Sequence, residues 1–215
     1  MSQSNCLSKV PFGAFLAYSP KGLSDSSVKS RNWRDYIKRG NEEALKKAIV
    51  RLHSDRNSLP FKHFFEGDVV LIPAPSHAPL VGKEALWVPR LIAEYLVSEG
   101  LGSLAAPILK RKYSIPKSAY SLKGQRPTLQ NHIDSMEVSK DLTRVPSHIV
   151  VVDDVVTKGA TLLAAASLIK EVYPDTEVSC FALLRTMGMV PEVDRVVEPC
   201  LGWITLENGD VYRVP

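Results

Sequence analysis

Between Glu99 and Asp134 the sequence has no acidic residue, cysteine occurs only three times, and no run of about 18 uncharged apolar residues is present. The last absence leaves no candidate for a helix that crosses a bilayer. Cys6, Cys180 and Cys200 cannot all pair with one another, and their wide spacing offers neither a CxxC clip nor a four-ligand zinc set, so reduced thiols are expected. The opening Met-Ser-Gln-Ser-Asn-Cys lacks the basic region and apolar stretch of a secretory signal, and a cytoplasmic location is the expectation. No GxxxxGK[ST] precedes a helical pattern and no GxGxxG is found, which excludes a Walker phosphate loop and leaves a dinucleotide site unsupported. What is present is 215 residues with 45% hydrophobic and 23% charged content, enough for one substantial core and against disorder. A net charge of +4 is mild and does not by itself choose between nucleic acid and a phosphorylated metabolite.

Along the chain, the first sixty residues read as polar and irregular up to a helix at about Asn41 to His53. There Leu45, Ala48, Ile49 and Leu52 fall on one face. Asp68 to Pro73 reads as a buried strand stopped by Pro73 and Pro75, and Leu86 to Ser98 as a helix. Leu104 to Leu109 is a weaker strand, interrupted by alanine and proline. From there Lys110, Arg111, Lys112, Lys117, Lys123 and Arg126 accumulate among Ser, Gly and Pro. A long basic loop over 110–135 is expected, and its depletion of acid suits a lid that faces an anion. His148 to Val152 is a continuous β-branched strand, followed by a loop from Asp153 to Thr161, an Ala/Leu-rich helix from Leu162 to Lys170, and a strand from Glu177 to Leu184. Strands alternating with helices predict an α/β fold with a mainly parallel sheet. Residues from Met187 to Pro215 suggest short strands and turns around Asn208-Gly209.

The segment from Asp153 to Thr161 carries the chemistry. In an open parallel sheet ligands bind beyond the carboxyl ends of the strands, where this loop falls. A helix opening presents unpaired N–H groups and partial positive charge, so Lys158, Gly159, Ala160 and Thr161, with the hydroxyls of Thr157 and Thr161, can surround a phosphate. Asp153 and Asp154 are acceptors when ionised, suited to vicinal hydroxyls or a hydrated divalent cation. Either half alone would read as a solvated strand end or an ordinary helix cap; together they call for a phosphate at one end and a diol nearby, the shape of a ribose 5-phosphate.

VVVDDVVTKGAT, Val150 to Thr161, resembles the phosphoribosyl diphosphate (PRPP) loop of type I phosphoribosyltransferases. The resemblance implies an α/β fold with an open, mainly parallel five-stranded sheet flanked by helices, and a hood. It divides a single domain into an N-terminal hood or helical segment (1–62), an α/β core (63–186) that includes the flexible loop 110–135, and a C-terminal extension (187–215). It assigns the ribose hydroxyls and a water-bridged Mg²⁺ to Asp153 and Asp154, and the 5-phosphate to Thr157, Lys158, Gly159, Ala160 and Thr161. LIPAPSH, Leu71 to His77, lies where such enzymes place the pyrophosphate loop, giving Ala74, Pro75, Ser76 and His77 that role, with Lys112 beside them. Lys117 and Arg126 stand as catalytic cations of the hood. The nearest group is similar to competence protein F, without its N-terminal cysteine zinc module and with no counterpart for the tail beyond Arg185. Purine-salvage members carry an aspartate at the position of Thr157, so a purine acceptor is disfavoured. The implied reaction displaces pyrophosphate from C1 of PRPP by a small nitrogenous acceptor, with Mg²⁺ as cofactor, in a homodimer that touches no membrane. The alternative is a catalytically weak PRPP-binding regulator acting on nucleic acid or a protein partner; the absence of a helix-turn-helix pattern or an aromatic stacking platform argues against nucleic acid.

Overall fold

In the computed structural model, residues 6–80, 82, 85–116, 127–188 and 192–215 are described. Their order is β1 (Lys9–Tyr18), α1 (Asp25–Lys38), α2 (Glu42–Ser54), β2 (Val69–Pro73), α3 (Val88–Ser98), β3 (Leu104–Ala105), β4 (Leu109–Arg111), α4 (Leu129–Asp134), β5 (Met136–Val138), β6 (His148–Val156), α5 (Ala160–Val172), β7 (Glu177–Thr186), β8 (Val197–Glu207) and β9 (Asp210–Val214). Two short 3₁₀ turns, Arg56–Ser58 and Lys62–Phe65, join α2 to β2. No helix among these residues is long and apolar enough to cross a membrane.

Seven strands form the main sheet in the order β3-β2-β6-β7-β1-β8-β9, and β4 pairs with β5 separately. From β3 to β1 every pairing is parallel. The sheet is therefore not the expected five-stranded one: five parallel strands are extended by an antiparallel hairpin, β8–β9, laid on the edge of β1. Asn208 and Gly209, with φ of 51° and 80°, make the tight turn of that hairpin, a conformation that Asn-Gly favours.

Alternation along β6 splits the core into two layers. Ile149 and Val151 join α5 and the first half of β1 on one face, while Val150 and Val152 join α2, α3 and the Phe61/Phe64/Phe65 cluster on the other. α2 buries Leu45, Ala48, Ile49 and Leu52, the stripe the sequence predicts. β2 leads through α3 to β3 on one side, and β6 leads through α5 to β7 on the other, so the chain departs in opposite directions from the neighbouring strands β2 and β6. Crevices at such a switch, beyond the carboxyl ends of the strands, are where open α/β sheets bind ligands.

Two expectations fail here for physical reasons. The N-terminal segment does not stand apart as a hood: it supplies β1, an interior strand between β7 and β8. Pro11 is tolerated because β1 pairs with β7 only from Phe12 onward, so the missing N–H leaves no gap in that ladder. The stretch 110–135 is not structureless at its described ends. It begins in β4 and closes in α4, whose start is fixed by a capping box between Thr128 and Asn131.

Candidate active site

The acidic pair lies inside a strand rather than in a loop. β6 continues to Val156, with Asp153 in register with Ala182 and Val156 with Arg185. Consecutive side chains of a strand point to opposite faces, and that rule separates the two carboxylates. Asp153 faces the α5 side and lines a cleft of about 780 Å³. Asp154 faces the other side, is 7% exposed, and takes the Lys38 ammonium from the last turn of α1 on its Oδ1 at 2.8 Å. The expected side-by-side pair is thus one cleft-facing carboxylate and one carboxylate tied to α1. Burial first, then the neighbouring Asp154 charge, raise the Asp153 pKa; Lys38 and the Asp154 N–H, which donates to Asp153 Oδ1 at 2.8 Å, offset this only in part. Burial alone would lower the Lys38 pKa, but the charges of Asp154 and Asp153 outweigh it and the net change is upward.

Thr157, Lys158, Gly159, Ala160 and Thr161 all line the same cleft as Asp153. Gly159 is the N-cap of α5, in the left-handed region with φ 93°, and no side chain caps the helix. The first-turn N–H groups therefore keep their capacity for an external acceptor. Glycine is required twice over at this position: a Cβ would lie 2.7 Å from Ile204 Cδ1 of β8, besides the strain of its φ. Lys158 donates to Asp210 Oδ2 at 2.6 Å, and that bond holds the Asp210 carboxyl below its usual range. Gly209, Asp210 and Val211 form a wall of the cleft. They belong to the β8–β9 hairpin. Its turn is legible in Asn208-Gly209, but its place over the anion loop follows from sheet order. Lys9 to Pro11 pair with β8 and not with β7, and Leu7 N–H bonds Ser167 of α5 at 3.0 Å, so this end of β1 carries the hairpin across the α5 face.

The neighbouring loop, Ala74 to His77, follows β2 directly and is joined to β6 by the Ala74 N–H, which donates to the Val152 carbonyl at 2.7 Å. Trp87 Nε1 donates to the Ala74 carbonyl at 2.8 Å, and Ile115 N–H to the His77 carbonyl at 2.9 Å. Ser76 Oγ and His77 Nδ1 are 3.3 Å apart. Among the described residues the cation turned toward this loop is Arg111, 6% exposed, not Lys112, which is exposed. Arg111 donates from Nε to the Ser76 carbonyl at 2.9 Å and from Nη1 to Ser135 Oγ at 2.5 Å. Burial lowers the Arg111 pKa to about 10, with Asp153 acting in the opposite sense. The alternation Leu109-Lys110-Arg111, buried-exposed-buried on β4, is the signal that could have picked it out. Lys117 and Arg126 lie outside the described residues.

His132 of α4 is a further cleft residue that sequence reasoning missed. It is 3% exposed, with Nδ1 3.4 Å from Thr161 Oγ1. Burial, reinforced by the Arg111 charge, lowers its pKa to about 4, so it is neutral at physiological pH and offers a hydrogen bond without charge. Among the described residues no three His, Cys, Asp or Glu side chains converge on a point that could hold a metal ion.

Residues 115–205 match the family model of the phosphoribosyl transferase domain, a span that contains β6, the Asp153–Thr161 segment, α5 and β7. Among solved structures, a hypoxanthine phosphoribosyltransferase from Staphylococcus aureus is 14% identical over 73% of this chain and 73% of its own, with a TM-score of 0.36. An adenine phosphoribosyltransferase from Leishmania donovani is 14% identical over 84% of each chain, with a TM-score of 0.37. No curated protein matches the sequence.

Proposed function

We propose that this protein is a phosphoribosyltransferase, similar to the competence protein F group, that binds PRPP with Mg²⁺ and transfers the 5-phosphoribosyl group to a nitrogenous acceptor with release of pyrophosphate. The observation that supports this most is the convergence on one cleft, beyond the carboxyl end of β6, of a carboxylate and an uncapped helix N-terminus. The domain match over the same residues supports it independently.

In this reading the 5-phosphate rests on the N–H groups of Gly159 to Thr161, with the Thr157 and Thr161 hydroxyls as further donors and Lys158 exchanging Asp210 for the phosphate. Asp153 accepts from the ribose hydroxyls. Asp154, held by Lys38, fixes the end of β6 and acts through its neighbour. The Ala74–His77 loop faces the leaving pyrophosphate, and Arg111 keeps that loop in place. Lys112, Lys117 and Arg126 belong to the reading as cations for the departing group.

One half-buried carboxylate at the cleft fits a magnesium ion carried mainly by substrate phosphates and water, the usual mode for that ion. When bound, Mg²⁺ supplies neutralisation of charge developing on the pyrophosphate oxygens. The chain's own part is orientation. It holds the ribose between Asp153 and the α5 N-terminus so that C1 is presented to the nucleophile.

The test is release of pyrophosphate from PRPP and Mg²⁺ across a panel of nitrogenous acceptors. Acceptor-dependent release is expected. PRPP binding without release under any acceptor would favour the regulator, and absence of PRPP binding would reject both.

A further inference from the structure

Arg185 and Arg213 come together beside this cleft in an arrangement that the roles above do not use. Arg185 is on β7, in register with the cleft residue Val156, and only 5% exposed. Arg213 is on β9, with its guanidinium 5.6 Å from the centre of the Phe12 ring. The two cations feel each other's charge, and both act on the Cys200 thiol between their strands. Among the described residues one carboxylate pairs with them, Glu198, on Arg185 Nη2. Arg213 Nη2 donates to the Thr186 carbonyl at 2.6 Å. Arg185 Nη1 is spent on the Met187 thioether at 2.7 Å, a weak acceptor where an oxygen would serve far better.

Three buried donor atoms, Arg185 Nε and Arg213 Nε and Nη1, have no hydrogen-bond partner among the described residues. A folded protein rarely leaves buried guanidinium donors unmet, because the desolvation penalty is then uncompensated. Cys200 does not supply the missing anion: burial raises its pKa despite the arginines, so it is a neutral thiol. Burial also lowers the Arg213 pKa to about 10, as expected of a cation short of counter-charge. Two positive groups against one negative leave one unit of charge unbalanced, which suits a monoanion, and the planar fork of arginine matches a carboxylate. Half-buried Thr186 and Met187 lie on the surface side of the cluster, at the carboxyl end of β7, one strand from the anion loop.

We infer that Arg185 and Arg213 form a carboxylate-binding subsite, plugged by the Met187 thioether in the free protein, which selects an acceptor bearing a carboxylate. The choice of acceptor rests on the phosphoribosyltransferase reading; the binding of a carboxylate does not.

The experiment titrates the full-length protein with pyridine and pyrimidine carboxylates and with the matching carboxamides, with and without PRPP and Mg²⁺, and measures PRPP binding separately. The acids are expected to bind at least tenfold more tightly than the amides. Arg213→Met should abolish that preference while changing PRPP affinity less than twofold, and Arg213→Lys, which keeps the charge and loses the fork, should restore it only in part. Equal binding of acid and amide by a protein that takes up PRPP would overturn the subsite and point to buried water as the partner of the free donors. Preference for the acids in a protein that does not bind PRPP would uphold the subsite and sink the transferase. If neither ligand binds, both ideas fall.

Discussion

Gly159→Ala is expected to lower both the stability of the protein and its affinity for PRPP, the affinity by at least about tenfold. The backbone at this position has φ 93°, and a side chain held in the left-handed region costs about 1–2 kcal/mol. The added Cβ would also fall within 2.7–2.9 Å of three carbon atoms of Ile204, which is fully buried and cannot swing aside. Overpacking of this kind costs about 1–3 kcal/mol more. At about 2–4 °C per kcal/mol for a chain of this size, the melting temperature should fall by roughly 10 °C. The strain reaches function because Gly159 starts α5: relief by moving the loop tilts the N–H groups of Ala160 and Thr161 away from the phosphate. Adding Ile204→Ala removes the overlap but not the backbone strain, so Gly159→Ala should cost less stability in the Ile204→Ala background than in the wild type. Thermal melts followed by circular dichroism and a PRPP titration check both effects. Wild-type values for Gly159→Ala would show that the hairpin does not press on this loop.

Asp153→Asn should separate binding from stability. Loss of a charged acceptor for ribose hydroxyls is worth about 1.5–3 kcal/mol, so PRPP affinity is expected to drop about tenfold to a hundredfold. The fold should become more stable. The Asp153 pKa is raised by burial and by Asp154, so the native state binds its proton more tightly than the unfolded chain does. The carboxyl is therefore least harmful to the fold at low pH, and its cost grows as pH rises from the ordinary carboxylate value through the raised one. An uncharged isostere escapes that cost, and the gain in melting temperature should increase with pH over the same window. His132, with its pKa lowered to about 4, contributes the opposite slope: its neutral burial is lost as pH falls below the ordinary histidine value. The difference between variant and wild type at each pH isolates the aspartate. PRPP affinity of the wild type should rise with pH as Asp153 ionises. A variant that loses stability and keeps PRPP affinity would move Asp153 out of the site.

How much of this could be read from the sequence depended on whether local pattern or sheet order decided the outcome. β6, α5 and β7 were legible because a Val-rich run, an Ala/Leu-rich helix and a second apolar run each declare themselves within a few residues. β1 was not, because Pro11 and Gly13 look like breakers. Pro11 sits outside the β7 ladder, and Gly13 is needed where Phe61 packs so close that a Cβ would lie 2.6 Å from its ring. α1 has only Ser27, Ser30 and Ile37 buried, too little apolar periodicity to show, although Ser24 caps it. In the site, the Asp153–Thr161 segment marked residues that do line one cleft, but a strand that runs on to Val156 turns Asp154 away from Asp153, and no composition reveals where a strand stops. His132 and the β8–β9 hairpin reach the cleft, and Arg111 the loop after β2, through long-range packing. Their contributions depend on which strands become neighbours.

The central claim is that the segment from Asp153 to Thr161 grips a sugar phosphate at the mouth of the sheet. A backbone NMR titration of the wild-type protein with PRPP and Mg²⁺ tests it most directly. Saturable shifts are expected, largest at Asp153 and at the amides of Lys158, Gly159, Ala160 and Thr161, with smaller ones at Asp210 as Lys158 changes partner. Saturable binding that leaves those amides unmoved, or no binding at all, would contradict it.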